Sequence, residues 1–186
     1  TIAALQGTIT TQMFSNIQDR IFFCRDRICN LLKNQGRHGY IVGGFVRDII
    51  LERQTNDIDI AVNGNALTIA EAVAEEFEGK LVVLDRANKI ARVVITEEET
   101  QWHLDFSSFT DDILSDLARR DFTIDAMAVE LDSLGIEYPI KVIDPFSGRE
   151  DINNKILRAV NDRAFKDDAA RLLKAVRLAA ELGFEI

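Results

Sequence analysis

The segment from residue 40 to residue 62 constrains the fold more than any other part of the sequence. A short apolar run there leads directly into Gly43-Gly44, and a helical pattern and a second apolar strand pattern follow. Asp57 and Asp59 alternate with isoleucines in that second strand. Because alternate residues of a strand point to the same face, both carboxylates are predicted to project together. The segment therefore predicts a strand, a glycine turn, a short helix and a strand with two carboxylates on one face.

The residue types of this segment indicate phosphate and metal chemistry. Two glycines after a strand let the backbone approach a phosphate, and the following helix N-terminus supplies free N–H donors. Arg47, one turn into that helix, can reach a phosphate oxygen or brace the turn. A glycine pair alone is usually only a turn, and a D-x-D is usually a solvated strand face. In this order they predict a magnesium site, because magnesium prefers hard oxygen ligands and shares its shell with substrate phosphates.

The remaining chain alternates helical and strand patterns without regular βαβ repeats. Helices are predicted at residues 12–34, 66–78 (closed by Gly79), 111–117 and 167–182 (with Gly183 as C-cap). Extended segments are predicted at residues 80–84, 90–95, 102–106, 126–131 and 155–160, and a turn at 144–148. Several neighbouring strands follow one another directly, which favours antiparallel pairing. We therefore predict an α/β (α+β) fold with a mixed, mostly antiparallel sheet flanked by helices.

Composition supports a folded domain and disfavours several other classes. Apolar residues make up 47% of the 186 residues, and no run approaches the 18 apolar residues of a membrane span. The N-terminus shows no signal peptide, and Cys24 and Cys29 are interpreted as reduced thiols, so a cytoplasmic location is expected. No Cys/His cluster has zinc-like spacing. The net charge of −9 argues against broad, non-specific nucleic-acid binding by this piece alone, but allows carboxylates gathered around metal ions.

Four ordered blocks give the chain a family resemblance. Residues 117–128 are similar to an R-R-D-F-T-x-N-A run, 144–152 to a D-P-x-x-G-x-x-D-L turn, and 165–177 to an E-D-x-x-R-x-x-R-x-x-R helix. With the glycine and D-x-D segment, these blocks resemble the bacterial (class II) tRNA nucleotidyltransferases and the related bacterial poly(A) polymerases, within the polymerase-β-like nucleotidyltransferases. The likeness runs from about residue 38 to the end of the chain.

This resemblance implies the nucleotidyltransferase fold and a division into three parts. Residues 1–35 would be an N-terminal helical extension, 36–155 the catalytic head, and 156–186 the start of a helical neck domain with the base-recognition helix. It also implies that most of the neck, and the body and tail that grip tRNA, lie outside this sequence. The 186 residues alone are therefore expected to bind nucleotide weakly and to add little to tRNA.

The resemblance also implies a role for each matching residue. Asp57 and Asp59 would bind two Mg²⁺ ions. Asp105 is a candidate third carboxylate, as a metal ligand or as the acceptor of the attacking hydroxyl's proton, and an exposed strand-end Asp is the alternative interpretation. Asp168 would accept from the base edge and Arg171 would donate to it. Further nucleotide contacts would come from Gly43, Gly44, Arg47, Arg120, Lys174 and Arg177.

The implied reaction is template-independent transfer of CMP and/or AMP, from CTP or ATP, to the 3′ end of tRNA or another RNA by two-metal phosphoryl transfer. Synthesis or repair of the CCA end of tRNA is the first choice. Poly(A) polymerase and partial CC- or A-adding enzymes are the alternatives within this class. A catalytically silent nucleotide-binding module is disfavoured because the D-x-D pair and Arg47 are intact. The second and fourth blocks argue against a small-molecule or protein nucleotidyltransferase.

Several features depart from the family pattern. Asp125 stands where the family usually has Asn, and a carboxylate only accepts hydrogen bonds. Lys174 replaces an Arg, which removes a bidentate or stacking contact, and Asp167 replaces a Glu. The segment from residue 106 to 117 is short, as in members that add only part of the CCA end. These departures leave the identity of the added nucleotides open.

Overall fold

The structure is a computed structural model that describes residues 24–97, 99–134, 141–162 and 164–186. The strands are β1 (Gly39–Val42), β2 (Asp57–Asn63), β3 (Lys80–Asp85), β4 (Ile90–Glu97), β5 (Thr100–Phe109), β6 (Ala128–Glu130) and β7 (Val142–Ile143). The helices are α1 (24–34), α2 (Gly44–Ile50), α3 (Ala66–Glu76), α4 (Ile113–Ala118), α5 (Gly148–Asn154), α6 (Ala164–Asp167) and α7 (Ala170–Leu182). Residues 12–23 of the predicted first helix lie outside the described residues.

One seven-stranded sheet in the order β3-β4-β5-β2-β1-β6-β7 organises the domain. Among the described strands, β2 and β5 pair in parallel, and the other neighbours pair antiparallel. The predicted mixed, mostly antiparallel sheet flanked by helices is therefore confirmed. The parallel pair has a consequence for function, because it puts the two strands richest in acidic and polar side chains next to each other at the centre of the sheet.

The two faces of the sheet are covered unequally. The larger core contains residues of α1, α2 and α3 packed on one face, with Ile58, Ile60 and Leu104 at most 1% exposed. Full burial of each such side chain stabilises the fold by about 2 kcal/mol. The opposite face carries a smaller cluster around Ala61, Phe109 and the side chains of α4. Because strand residues alternate, Asp57 and Asp59 of β2 share this thinly covered face with His103 and Asp105 of β5.

Local sequence explains where several of these elements begin and end. The Asn65 side chain accepts a hydrogen bond from the Leu67 N–H, 3.2 Å away, and starts α3. The Asp112 carboxylate caps α4 in the same way, through the Ser115 N–H. Gly183, with φ of 68°, ends α7 as predicted. These capping groups satisfy helix-end donors and acceptors that would otherwise lack partners inside the helix.

The structure also corrects several predicted elements. The predicted helix over 167–182 is divided into α6 and α7 by a break at residues 168–169. Residues 148–154, where the sequence predicted no helix after the turn at 144–148, form α5. The predicted extended segment at 155–160 contributes isolated bridges instead of a strand. The strand predicted at 126–131 is shortened to β6, and the 3₁₀ turn at 123–125 precedes it.

Gly79 marks the end of the α3 region for a different reason from the one predicted. α3 ends at Glu76, and Glu78 takes the left-handed conformation, with φ of 51°. A Cβ at Gly79 would lie 2.9 Å from the Val94 carbonyl oxygen. Glycine is therefore required here by the close approach of strand β4, which no local pattern in the sequence indicates.

Gly148 has the tightest surroundings of the described glycines, since a Cβ there would collide with the Thr123 carbonyl. We expect Gly148→Ala to lower the free energy of unfolding by about 3 kcal/mol, because the contact is with backbone that cannot rotate away. Thermal unfolding measures the effect. Asn154→Ala, at an exposed position of the same helix, should change stability by less than about 0.5 kcal/mol. Equal melting temperatures for the two variants would contradict this prediction, because they would show that the backbone moves away from the new methyl group with little loss of stability.

Two further predictions concern compartment and membrane. Cys24 and Cys29 are both buried and are not joined in a disulfide, and burial raises the pKa of each thiol to about 12. They therefore behave as reduced core residues, as expected. Every helix within the described ranges is too short or too polar to cross a membrane.

Candidate active site

The parallel pairing of β2 and β5 determines the geometry of the candidate active site. Asp59 lies directly opposite Asp105, and Asp57 lies opposite His103. In β2 these acidic residues alternate with the buried Ile58, so they share the thinly covered face of the sheet. Three carboxylates from two adjacent strands are thus collected on one face. The sequence predicted the pair Asp57 and Asp59 and gave Asp105 as a candidate third carboxylate, and the tertiary pairing brings Asp105 directly opposite Asp59.

The glycine turn packs directly against this carboxylate group. Gly43 has φ of 71°, and a Cβ there would lie 2.7 Å from Asp59 Oδ2 and 2.9 Å from the Arg120 Nη1 atom. Gly44 begins α2, and its Cβ position lies 3.2 Å from the Arg47 guanidinium. The first glycine is therefore required both by its left-handed backbone and by the side chains that approach it.

A cleft of about 290 Å³ opens between the glycine turn, β5, the 120–125 turn and α7. Its lining residues are Gly43, Gly44, Asp59, Ile90, Asp105, Phe106, Ser107, Arg120, Asp121, Asp125 and Lys174. Six of the predicted site residues are among them, namely Gly43, Gly44, Asp59, Asp105, Arg120 and Lys174. The other predicted residues, Asp57, Arg47, Asp168, Arg171 and Arg177, do not line this cleft.

Asp59 is the acidic group most affected by these surroundings. Desolvation raises its pKa to about 6, and the nearby Asp105 and Asp125 carboxylates act in the same direction. Arg120 and Lys174 oppose the shift. A carboxylate whose charge is disfavoured in this way would be stabilised by a bound cation. Perturbed carboxylates of this kind are characteristic of functional sites.

The other two carboxylates have basic partners that the sequence analysis did not identify. Arg92 of β4 donates to both oxygens of Asp105, at 2.7 Å each. His103 Nδ1 lies 2.8 Å from Asp57 Oδ1, and Arg92 lies 3.8 Å from the same oxygen. His103 and Asp105 alternate on β5 as Asp57 and Asp59 do on β2. This H-x-D pattern is the feature of the sequence from which the role of His103 could have been predicted. The sequence carries no comparable signal for Arg92, because its position opposite Asp105 depends on the antiparallel pairing of β4 with β5.

The donor chemistry of the three carboxylates fits magnesium. All are hard oxygen ligands, and Asp59 lies in a cleft with room for phosphate oxygens. Across the described part of the chain, however, no three His, Cys, Asp or Glu side chains are gathered closely enough to hold a metal ion by themselves. Magnesium characteristically completes its shell with water and substrate phosphates, so a site shared with a nucleotide agrees with this arrangement.

Arg47 lies behind the cleft in a buried network of charges. Its guanidinium donates to both oxygens of Asp48, at 2.9 and 3.0 Å, and to Asp125 Oδ1 at 2.5 Å. Burial acts to lower the pKa of Arg47, but Asp125 and Asp48 outweigh it and raise the pKa. Of the two roles predicted for Arg47, these contacts favour bracing the turn, and contact with a phosphate stays a prediction.

Replacement of Arg47 by Lys should therefore unfold the domain more readily. Lys offers no planar fork that can bind Asp48 and Asp125 together, so at least one of these two carboxylates loses a hydrogen-bonded cation. We expect a loss of about 3 kcal/mol in the free energy of unfolding, measured by chemical denaturation. The matched control is Arg53→Lys, whose partner Glu181 is 40% exposed and whose loss should cost less than about 1 kcal/mol. Similar losses for the two variants would contradict the bracing role.

The remaining predicted residues divide between the cleft and its margin. Arg120 faces Asp59 and is oriented by Asp116, whose Oδ2 accepts from two of its nitrogens at 3.2 and 3.3 Å. Arg171 donates to the Ala164 and Arg119 carbonyl oxygens, both at 3.1 Å. Asp168 accepts from the Ala170 N–H and is exposed, as is Arg177, which pairs with Glu181 at 3.9 Å. Their predicted nucleotide contacts stay predictions.

The sheet, its flanking helices and the acidic face are those of the nucleotidyltransferase fold. A solved CCA-adding enzyme in complex with ATP is similar over 95% of this chain and 42% of its own, with a TM-score of 0.79 and 31% identity. The Thermotoga maritima CCA-adding enzyme, complexed with tRNA, gives a TM-score of 0.77 at 32% identity over 95% of this chain and 42% of its own.

Residues 39–158 match the Poly A polymerase head domain family, and the chain belongs to that family. The CC-adding tRNA nucleotidyltransferase of Geobacter sulfurreducens is 38% identical over 160 residues, which are 86% of this chain and 35% of that protein. The CCA-adding enzyme of Geobacillus stearothermophilus is 34% identical over 171 residues, covering 86% of this chain and 40% of its own. The chain thus spans about two fifths of the length of these relatives.

Proposed function

We propose that this chain is the catalytic head of an enzyme that adds CMP and/or AMP to the 3′ end of tRNA without a template. The observation that carries the proposal is the register of Asp59 opposite Asp105, at a cleft bounded by the Gly43-Gly44 turn. Membership of the head-domain family supports the same reaction class. Similar solved proteins are complexed with CTP, ATP or tRNA, which supports these substrates.

In this proposal Asp57 and Asp59 hold magnesium, with Asp105 as a third ligand or as the acceptor of the 3′-hydroxyl proton. The metal would supply charge neutralisation of the triphosphate and activation of the attacking hydroxyl. Arg92 orients Asp105 by donating to both of its oxygens. His103 holds Asp57 through a contact between one ring nitrogen and one carboxylate oxygen. These two basic residues hold Asp57 and Asp105 on the face of the sheet that carries Asp59.

The nucleotide would lie between the glycine turn and α7. Gly43 and Gly44 have no side chains to block the phosphates, and Arg120 directs a positive charge beside Asp59. Asp168 and Arg171, near the start of α7, are proposed to read the base edge through one acceptor and one donor. Two predictions are retained for the bound state. Arg47 would contact a phosphate, and Lys174 and Arg177 would contact the base or a phosphate.

The proposed organisation follows the sequence prediction. We assign residues 1–35 to an N-terminal extension, 36–155 to the head and 156–186 to the start of a neck. The end of the family match at residue 158 supports the second boundary. The two buried thiols, which form no disulfide, support a location in the reducing cytoplasm.

Addition of CC alone is the second candidate function. The chain is 38% identical to a CC-adding enzyme and 34% identical to a CCA-adding enzyme, and this difference favours CC addition as the second candidate. The short connection between β5 and α4, residues 110–112, agrees with the same alternative. Poly(A) polymerase activity is tested as a third outcome.

The test uses the complete protein that contains these 186 residues. It is incubated with tRNA lacking CCA, tRNA ending in CC, and an oligo(A) primer, each with both CTP and ATP, one of which is labelled. Extension of the first tRNA by three nucleotides supports CCA addition, and extension that stops after two supports CC addition. A long ladder on oligo(A) supports poly(A) polymerase. No incorporation into any substrate would overturn the proposed function.

A further inference from the structure

Lys174 ties α7 to the turn that forms one wall of the cleft. Its Nζ lies 2.6 Å from Asp121 Oδ2 and 3.0 Å from Asp125 Oδ2. The two carboxylate side chains are only 12% and 6% exposed. The ammonium also lies 5.8 Å from the centre of the Phe122 ring. One cation of α7 is therefore held by two buried carboxylates of the head.

The charge of Lys174 is directed at the protein more than at the cleft. Burial acts to lower its pKa, but Asp125 and Asp121 outweigh that effect and raise the pKa above its ordinary value. The side chain is thus charged at neutral pH. An ammonium has three N–H donors, and two of them are directed at these carboxylates. One donor is left for a nucleotide.

The two main departures from the family pattern contact each other here. Asp125 supplies a negative charge where the pattern has Asn, and Lys174 supplies a compact cation where it has Arg. A single ammonium fits between two carboxylate oxygens, whereas a guanidinium fork requires a planar partner. Asp125 is also bound by Arg47, so the network continues from α7 through Asp125 to α2. The two substitutions are therefore matched in charge and in shape.

Lys174 is well placed to fix the position of the proposed base-reading residues. Arg171 is three residues earlier in α7, one helical turn away, and Asp168 lies two residues before the first residue of the helix. On the head side, Asp125 and Lys174 both influence the charge of Asp59. A contact between α7 and the head at this point sets the distance between the base-reading end of the cleft and its carboxylate end.

We propose that Lys174 and Asp125 form a positioning pair, the α7 latch, which holds α7 at the distance from Asp59 that a nucleotide requires. This inference rests on the proposed function and adds a residue pair that governs nucleotide affinity and choice. Lys174 acts through Asp125, so loss of the latch changes the binding of CTP and ATP more than the rate of the chemical step.

Steady-state incorporation of CMP and AMP by the complete protein tests the latch. We expect Lys174→Gln to raise KM for the nucleotide about tenfold and to leave kcat within about threefold. Lys174→Arg keeps the charge but replaces the compact ammonium by a planar fork, so we expect it to raise KM as well, but by less than Lys174→Gln. Lys166→Gln removes an exposed lysine of α6 and is the matched control, with no expected change.

A double-mutant cycle separates positioning from general structural damage. Asp125→Asn in wild type removes the partner of both Arg47 and Lys174, but in the Lys174→Gln background it removes only the Arg47 contact. The double variant should therefore be at least about fivefold more active, in kcat/KM, than the product of the single effects. The same non-additivity is expected with Lys174→Met in the cycle, because Met also removes the charge, and this keeps the test available if Lys174→Gln does not fold.

The outcomes distinguish the latch from the proposed function. Independent single effects, or a Lys174→Gln variant that loses kcat at an unchanged KM, would overturn the latch while the wild-type protein still adds nucleotides. A wild-type protein that incorporates no nucleotide would overturn the proposed function and, with it, the role of the latch. Melting temperatures measured for every variant show whether a kinetic change accompanies unfolding.

Discussion

Replacement of Asp59 by Asn is expected to lower nucleotide addition by the complete protein at least about a thousandfold, because the loss of a metal-binding carboxylate removes several kcal/mol of transition-state stabilisation. Desolvation by burial raises the pKa of Asp59 to about 6. Burial and the neighbouring carboxylates make its charge unfavourable in the absence of a cation. The neutral Asn should therefore fold at least as stably as the native protein. Activity and melting temperature are measured together.

Controls for this prediction use the other acidic residues. Asp57→Ala is expected to abolish addition as well, whereas Asp111→Asn removes an exposed carboxylate beyond β5 and should keep normal rates. A lower melting temperature of the Asp59→Asn protein would mean that its carboxylate has a structural role. Near-normal addition by either the Asp57 or the Asp59 variant would show that the metal assignment is wrong.

Gly43→Ala is expected to reduce addition about a hundredfold while lowering stability by about 2 kcal/mol. The new methyl group would lie 2.7 Å from Asp59 Oδ2 and 2.9 Å from Arg120, so both side chains must move away from the cleft. An error of about 1 Å in the position of a catalytic group is enough for a loss of this size. Primer extension at saturating nucleotide measures the rate, and denaturant unfolding measures the stability.

Gly36→Ala is the matched control for this substitution. Gly36 has φ of 63°, close to the 71° of Gly43, but among the described residues no atom beyond its chain neighbours lies within 4 Å of its Cβ position. It should therefore lose a similar amount of stability from backbone strain, about 1 kcal/mol, and keep its activity. If Gly36→Ala and Gly43→Ala reduced activity equally, backbone strain and not crowding of Asp59 would explain the effect.

Elements with a strong local pattern were predicted well, and elements created by contacts were not. The alternation of Asp57 and Asp59 with isoleucines, and the cap at Asn65, are local signals, and β2 and α3 formed where they indicated. The break between α6 and α7 was missed because the helical period continues through residues 168–169. The short β7 was missed because two residues carry no period, and its pairing with β6 alone defines it.

The candidate site shows the same division. Its glycines, its first two carboxylates and Arg120 follow from motifs, because their spacing along the chain reflects a required spacing around a nucleotide. Arg92 and His103 have no such motif, and their roles arise from the register of β4 and β5. Arg47 matched the motif, yet its burial between Asp48 and Asp125 could be seen only after folding.

By itself the sequence determined the family, the order of the central elements and the face of β2 that carries the acidic groups, because these depend on motifs and on the two-residue period of a strand. Tertiary structure alone decided that β5 pairs in parallel with β2, which brings Asp105 opposite Asp59. It also decided that the two departures from the family pattern, Asp125 and Lys174, meet as an ion pair. Contacts between residues about 50 positions apart depend on the path of the whole chain, which no local pattern encodes. They also depend on which charged side chains become buried together and must therefore pair, and this too cannot be read from a local pattern.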